Sequence, residues 1–330
     1  MMLGDAASLV VGVLALWLGA RLLVTGAARL ASAAGVSALV VGLTVVAFGT
    51  SAPEIVVSTG AALEGRGGVA VGNVVGSNVF NLGVILGLVA VIAPFRVAEQ
   101  LLRRDVLAMA ASTVVAAAVL ATAVVSRLEG AVLLLLLGAY LGALVVAVRN
   151  VGDSNATDGR EAASHESADG ASTAEVASGE VSVRFGLEVG RVVGGLALVI
   201  VGGRLLVDAA VGLALAAGVS EWVVGATVVA AGTSLPELVT SVVAARRGDT
   251  SIAAGNVVGS NVFNVLGVLG IAAAVRPLAV DPGVFLALAW LAVLTVFATA
   301  VLATGRRLTR LEGATLVAFG AGYWIVSIAG

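Results

Sequence analysis

Gly49-Thr50-Ser51-Ala52-Pro53-Glu54 recurs, 183 residues further on, as Gly232-Thr233-Ser234-Leu235-Pro236-Glu237. Each copy lies inside an apolar stretch and places a proline, then a glutamate, mid-way along it. The same offset carries Gly72-Asn73-Val74-Val75-Gly76-Ser77-Asn78-Val79-Phe80-Asn81 onto Gly255-Asn256-Val257-Val258-Gly259-Ser260-Asn261-Val262-Phe263-Asn264. It also carries Arg21 onto Arg204, and Arg127-Leu128-Glu129-Gly130 onto Arg310-Leu311-Glu312-Gly313. An offset that never slips over so long a range marks a duplicated unit.

The surroundings say what kind of unit it is. The 330 residues are 60% hydrophobic and 12% charged, with a mean hydropathy of +1.12, far more apolar than an average soluble domain. A spanning helix needs about 20 mostly apolar residues. Charged and turn-forming clusters cut the chain into ten such stretches, at 6–31, 37–63, 68–93, 105–125, 128–149, 188–216, 220–246, 250–275, 282–303 and 308–329. The first has no basic n-region and runs past signal-peptide length, so it reads as a transmembrane helix. The expected fold class is therefore an all-α polytopic membrane protein with ten transmembrane helices.

Five spans per copy is an odd number, so the second copy must enter the membrane from the opposite side, giving two inverted five-helix repeats as in many secondary transporters. The expected domains are 1–149, the first repeat, and 188–330, the second. Between them 150–187 is rich in Ser, Ala, Gly, Asp and Glu and poor in large apolar residues, and reads as a flexible acidic linker. All 18 basic residues are arginines. Arg29, Arg103, Arg104, Arg246, Arg247, Arg306 and Arg307 fall on one side, against Arg66, Arg127 and Arg276 on the other. The excess of positive charge marks the cytoplasmic side, so both termini are expected outside and the linker inside.

Glu54 and Glu237 would each cost at least ~2.5 kcal/mol as ionised groups at mid-membrane. No arginine is available within the spans that hold them except at the ends, so the natural partner is a bound cation; the bland alternative is a pair of protonated acids kept for packing. Each glutamate follows a proline, which removes a helical hydrogen bond and exposes backbone carbonyls of the preceding turn. Carbonyls near Ala47 and Ala230, and the hydroxyls of Thr50, Ser51, Thr233 and Ser234, then stand beside a carboxylate, an arrangement tolerated only if it lines a cavity. In the second motif Asn73, Ser77 and Asn81, and likewise Asn256, Ser260 and Asn264, recur every four residues and share a helix face. That face could supply the 6 to 8 oxygens that Ca²⁺ takes. It could equally be interhelical glue, with Gly72, Gly76, Gly255 and Gly259 allowing close approach, and the two uses are compatible. Asn78 and Asn261 lie off the stripe and are placed to bond unwound backbone.

Two carboxylates give a formal −2, which one Ca²⁺ or two Na⁺ would neutralise and which would repel an anion. An empty, doubly charged site should cross the membrane poorly, which favours exchange over uniport. The chain has no cysteine and a single histidine, His165, so a thiolate metal site is excluded and imidazole ligation has almost no material. No span holds a histidine, cysteine or lysine to activate a nucleophile, and an enzyme is not expected. A passive cation channel fits broken helices at mid-membrane less well than alternating access does. Arg21 and Arg204, inside the first and sixth spans, are expected to snorkel to an interface. Asp208, four residues after Arg204, is placed to pair with it, whereas the equivalent position in the first half is Thr25.

On these paired motifs the sequence resembles the sodium/calcium exchanger family of the cation/calcium antiporter superfamily, and its short prokaryotic members most. The resemblance extends over all of the chain except the linker. It implies exchange of Ca²⁺ for Na⁺ across a prokaryotic cell membrane, with proton-driven Ca²⁺ exchange as the nearest alternative. It implies ion sites formed by Glu54, Glu237, Thr50, Thr233, Ser51, Ser234, Ser77, Ser260, Asn81 and Asn264 with the Ala47 and Ala230 carbonyls. It further implies that the first and sixth spans slide as a gate over a fixed core. Some relatives carry aspartate at one of the positions held here by Asn81 and Asn264, an acid associated with potassium co-transport, so potassium dependence is not expected. The short linker leaves no room for a calcium-sensing domain. The implied ligands are Ca²⁺, Na⁺ and membrane lipid, with no cofactor, nucleic acid or protein partner.

Overall fold

The computed structural model describes residues 2–96, 99, 101–122, 124–165, 185–216, 230–305 and 307–329. Helix α1 (Met2–Ala33) opens the chain. The next stretch is broken: α2 (Ala38–Val41), a π-helical run Gly42–Val46 and α3 (Ala47–Thr50) lead to α4 (Ala52–Leu63), with a bend of 43° at Ser51. Then α5 (Gly67–Phe80) passes through a π-helical run Asn81–Leu86 into α6 (Gly87–Ile92), and β1 (Phe95–Arg96), α7 (Leu107–Leu120), β2 (Val124–Val125) and α8 (Arg127–His165) complete the half. The second half holds α9 (Phe185–Ala216), α10 (Ala230–Thr233), α11 (Leu235–Arg246) and α12 (Thr250–Val262). A π-helical run Phe263–Val268 leads into α13 (Leu269–Val275), followed by β3 (Leu278–Ala279), α14 (Val284–Gly305), β4 (Arg307–Leu308) and α15 (Arg310–Ala329).

Among the described residues six helices are long and apolar enough to cross a membrane: Val10–Ala33, Gly67–Ile92, Arg127–Ala147, Phe185–Leu205, Thr250–Val275 and Val284–Ala303. The bent pair Ala38–Thr50 and Ala52–Leu63 makes a seventh when taken as one span. Three of the ten expected stretches are not among them, each for a local reason. Helix α7 is only 14 residues long and follows a π-helical run, Leu101–Val106. Residues 217–229 of the expected span 220–246 lie outside the described residues. Helix α15, of 20 residues, carries Arg310 and Glu312 in its first turn.

The expected boundary at 149 is also not a helix end. Helix α8 continues through His165, across 150–165, which is free of proline although rich in Gly, Asp, Asn and Ser. Of the expected linker, 166–184 lies outside the described residues.

Burial separates the layers. The span windows in Gly67–Ile92 and Thr250–Val275 are 78% and 89% buried, against 22% in Arg127–Ala147 and 28% in Phe185–Leu205. The two segments bearing the Gly-Asn motif are therefore the centre, and α8 and α9 lie outermost. Glycines let the central backbones touch. A Cβ on Gly255 would lie 2.7 Å from the Leu39 carbonyl oxygen, and one on Gly259 2.7 Å from that of Leu43. The partners that the offset would assign to Gly72 and Gly76 fall at 222–230, almost wholly outside the described residues.

Contacts recur in pairs under the 183-residue offset. Strand β1 pairs antiparallel with β4, and β2 with β3; since β1 matches β3 and β2 matches β4, each ladder joins the same two positions drawn from opposite halves. Ser126 and Glu129 bond each other's backbone N–H at the start of α8, as Thr309 and Glu312 do at α15, a reciprocal N-terminal cap in both halves. Helices α4 and α11 end alike, on Gly65 (φ 81°) and Gly248 (φ 86°). The next N–H bonds back to Ala61 in one case and Ala244 in the other, a closure that favours glycine.

Candidate cation site

The prolines lie where a helix tolerates them. Pro53 and Pro236 sit in the first turns of α4 and α11, where the missing N–H removes no intrahelical bond. Glu54 and Glu237 share those turns, where the helix dipole favours negative charge. Just ahead, Ser51 (φ −80°, ψ 6°) and Ser234 (φ −90°, ψ 7°) break the helical path. This swings each serine side chain away from its own glutamate and across to the other half. Ser51 Oγ donates to Glu237 Oε1 at 3.0 Å, and Ser234 Oγ donates to Glu54 Oε1 at 3.1 Å.

Both carboxylates are fully buried and close enough to repel one another. Among the described residues neither takes part in an ion pair. Nor is there, among them, any group of three or more His, Cys, Asp and Glu. The unpartnered buried atoms of the motif residues are the carboxylate, hydroxyl and amide groups, Asn81 Nδ2 and Asn264 Nδ2 among them. Glu54 Oε2, Glu237 Oε2, Ser77 Oγ, Ser260 Oγ, Asn81 Oδ1 and Asn264 Oδ1 are all buried without a hydrogen-bond partner. These are six oxygens, three from each half. Ser260 lies beside the Glu237 carboxyl. Asn81 opens one π-helical run and Asn264 lies in the other, the type of bulge that recurs at functional sites. Native interiors satisfy nearly all buried polar atoms, so a symmetric set of orphaned oxygens, two of them carboxylate, is a set that could serve a cation.

The stripe of threes divides. Asn73 Nδ2 donates to Ser58 Oγ at 3.0 Å and its Oδ1 accepts from Thr233 at 3.2 Å. Asn256 Nδ2 donates to Ser241 Oγ at 2.9 Å and its Oδ1 accepts from Thr50 at 3.1 Å. These two asparagines are brackets between helices, not open oxygens, and each ties the broken span of one half to the central helix of the other through a threonine. Ser58 and Ser241 were not singled out from sequence, although they too obey the 183 offset. Asn78 Nδ2 donates to the Asn261 carbonyl at 3.3 Å, and Asn261 Nδ2 to the Val257 carbonyl at 2.8 Å, so both bond backbone, but backbone within helix α12 and not unwound backbone as expected.

The Ala47 carbonyl is not left open. It accepts from Ser51 N at 3.0 Å and from Thr50 Oγ1 at 3.3 Å. The reason is arithmetic: a proline at 53 deprives the carbonyl four residues earlier, that of Gly49, and not the one at 47. Ala230 is the first residue of α10. Arg21 stacks over the Trp17 ring at 4.7 Å and Arg204 is exposed, neither near the carboxylates in any contact described. The side chains of Asp208 and His165 lie outside the described residues.

The family model described as Sodium/calcium exchanger protein matches residues 5–146 and 187–329, two stretches that follow the internal duplication. The chain is 38% identical over 283 residues to Inner membrane protein YrbG of Escherichia coli (strain K12), covering 85% of this chain and 83% of that one. It is 31% identical over 342 residues to Sodium/calcium exchanger MaX1 of Methanosarcina acetivorans, covering 96% and 97%. Among solved structures it matches the sodium-calcium exchanger NCX_Mj soaked with Na⁺ and Sr²⁺, with a TM-score of 0.81 and 31% identity over 100% of this chain and 99% of that one.

Proposed function

The chain belongs to the sodium/calcium exchanger family, and from that premise we propose that it is a secondary antiporter, moving Ca²⁺ against Na⁺ by alternating access. Its ten spans form two inverted repeats, with both termini outside and the 150–187 linker in the cytoplasm. The cation ligands are Glu54 and Glu237, with Ser77, Ser260, Asn81 and Asn264. Ser51 and Ser234 hold the carboxylates, and Thr50 and Thr233 secure the brackets that position them; each hydroxyl keeps lone pairs for an ion. The Ala47 and Ala230 carbonyls complete the set only if the helix break opens further than it does here.

One observation carries this reading: each buried glutamate is held on one oxygen by the opposite half, while its other oxygen and four neutral oxygens of the central helices are left unpartnered. Two carboxylates without a basic partner are stable in a membrane interior only when cations neutralise them. One Ca²⁺ or two Na⁺ give the same charge balance, so either load lets the site reorient and the empty site does not. Coupling follows from that penalty. Because each half supplies an equivalent share, a site read from one side of the membrane looks the same from the other, as alternating access between inverted repeats requires.

The test is uptake of Ca²⁺ by proteoliposomes under an outward Na⁺ gradient, with pH clamped on both sides. Uptake that follows the Na⁺ gradient and is lost in Glu54→Gln and Glu237→Gln supports the proposal. Uptake indifferent to Na⁺ but driven by a pH gradient replaces Na⁺ with H⁺ as the driving ion, and uptake unaffected by both substitutions would falsify the site.

A further inference from the structure

Helices α1, α6 and α11 line an open groove of about 580 Å³, within the 300–1,000 Å³ of ordinary ligand pockets. Its wall is aliphatic: Leu88 and Ile92 from α6, and Leu238, Val239, Val242 and Val243 from α11. Its rim is basic, with Arg21 of α1, Arg246 at the end of α11 and Arg247 just beyond it. All three arginines are exposed, and among the described residues none is in an ion pair. Asp249 in the following turn offsets Arg247 in part, leaving the rim positive. Two contacts hold the rim in place. Arg21 lies over the Trp17 ring at 4.7 Å, and Arg247 donates to the Thr25 hydroxyl and to the Arg21 carbonyl.

We propose that this groove is a binding site for an anionic phospholipid. One acyl chain lies along the Leu88, Ile92, Leu238 and Val242 wall, and the phosphate sits among the three guanidinium groups. The two chemistries select this occupant together. Guanidinium forks match phosphate oxygens bidentately, while a free anion would leave the aliphatic wall uncovered. A zwitterionic lipid would fill the wall and leave the rim charge unanswered. The placement agrees, because α6 and α11 both end beside the groove and Trp17 is of the type that anchors at the membrane interface. Arg246 and Arg247 lie on the arginine-rich side, where anionic lipids meet basic pockets between helices. A bound headgroup would brace α1 against α11, since its ligands come from both.

The experiment is native mass spectrometry of the full-length protein in detergent, titrated in parallel with dioleoylphosphatidylglycerol and dioleoylphosphatidylcholine. The expected result is one phosphatidylglycerol retained about tenfold more tightly than phosphatidylcholine, with the preference removed in Arg246→Gln/Arg247→Gln and kept in Arg66→Gln. A second variant, Val242→Trp, fills the groove without touching a charge and should also release the lipid; with Arg21→Gln it keeps the test decisive if the double variant does not fold. Equal retention of the two lipids, or of phosphatidylglycerol by all variants, overturns the proposal. So does displacement of the lipid by millimolar inorganic phosphate while Val242→Trp binds as before, which makes the rim a free-anion site. None of these outcomes depends on whether the protein transports Ca²⁺.

Discussion

Near the carboxylates the side-chain contacts that join the two halves come in twins. Ser51 on Glu237 mirrors Ser234 on Glu54, Thr50 on Asn256 mirrors Thr233 on Asn73, and Ser58 mirrors Ser241. Towards the periphery the twins disappear. Glu188 accepts from Arg29 at 3.1 Å and from Arg191 at 2.6 Å, yet the equivalent positions are Asp5, Gly212 and Ser8. Asp105, fully buried, accepts from Arg104 at 2.7 Å and lies 3.4 Å from the Tyr140 hydroxyl, yet its counterparts are Leu288, Ala287 and Tyr323. If the halves exchange roles between two access states, groups with a twin contribute equally to both states. Groups without one set the energy difference between them.

The comparison predicts equal effects where twins exist. The largest is at the carboxylates: Glu54→Gln and Glu237→Gln each lower Na⁺-driven Ca²⁺ uptake by ~100-fold or more, on the ~3–5 kcal/mol scale of removing one member of a buried charge set. A difference of more than about tenfold between them, against that scale, breaks the equivalence of the halves. Next come Ser51→Ala and Ser234→Ala, each stripping the donor from a buried carboxylate oxygen. Radiotracer binding should show Ca²⁺ affinity down by about 10- to 100-fold in both, for a loss of ~1–3 kcal/mol.

Packing gives a sharper contrast. Gly259→Ala drives a Cβ against the Leu43 backbone and should lower stability in detergent by ~1–3 kcal/mol. Gly138→Ala, with nothing within 4 Å, should be neutral or raise it by up to ~1 kcal/mol. A peripheral change should separate fold from transport: Asp105→Asn weakens the Arg104 pair and costs ~1–2 kcal/mol in thermal unfolding, while Ca²⁺ affinity stays within about twofold, as for distant independent sites. The smallest effect is at the exposed Glu64–Arg66 pair, 3.5 Å apart, where Glu64→Gln should change the unfolding free energy by less than ~0.5 kcal/mol.

Particular residues show how far the sequence could be read. The two glutamates, their prolines and the asparagine motif stand out because the duplication writes each twice. Asn73 and Asn81 could not be told apart that way, since both are amides at a spacing of four on one helix. Asn73 becomes a bracket because α4 brings Ser58 within 3.0 Å of it, whereas Asn81 opens a π-helical run with both amide atoms unpartnered. The reciprocal caps at α8 and α15 were legible as Ser126-x-x-Glu129 and Thr309-x-x-Glu312, but only the repeated Arg-Leu-Glu-Gly beside them was read.

The amino-acid sequence by itself determined that this chain is a duplicated, strongly apolar unit with two acids placed mid-way along apolar stretches and no basic residue beside them, because composition, period and charge are local properties that no fold can alter. Which serine holds which glutamate, and which asparagine stays open, only the tertiary structure decided. Those facts depend on the bend at Ser51 and Ser234 and on backbones that meet at Gly255 and Gly259. They are distances across the interface between the halves, and spacing along one helix does not contain them.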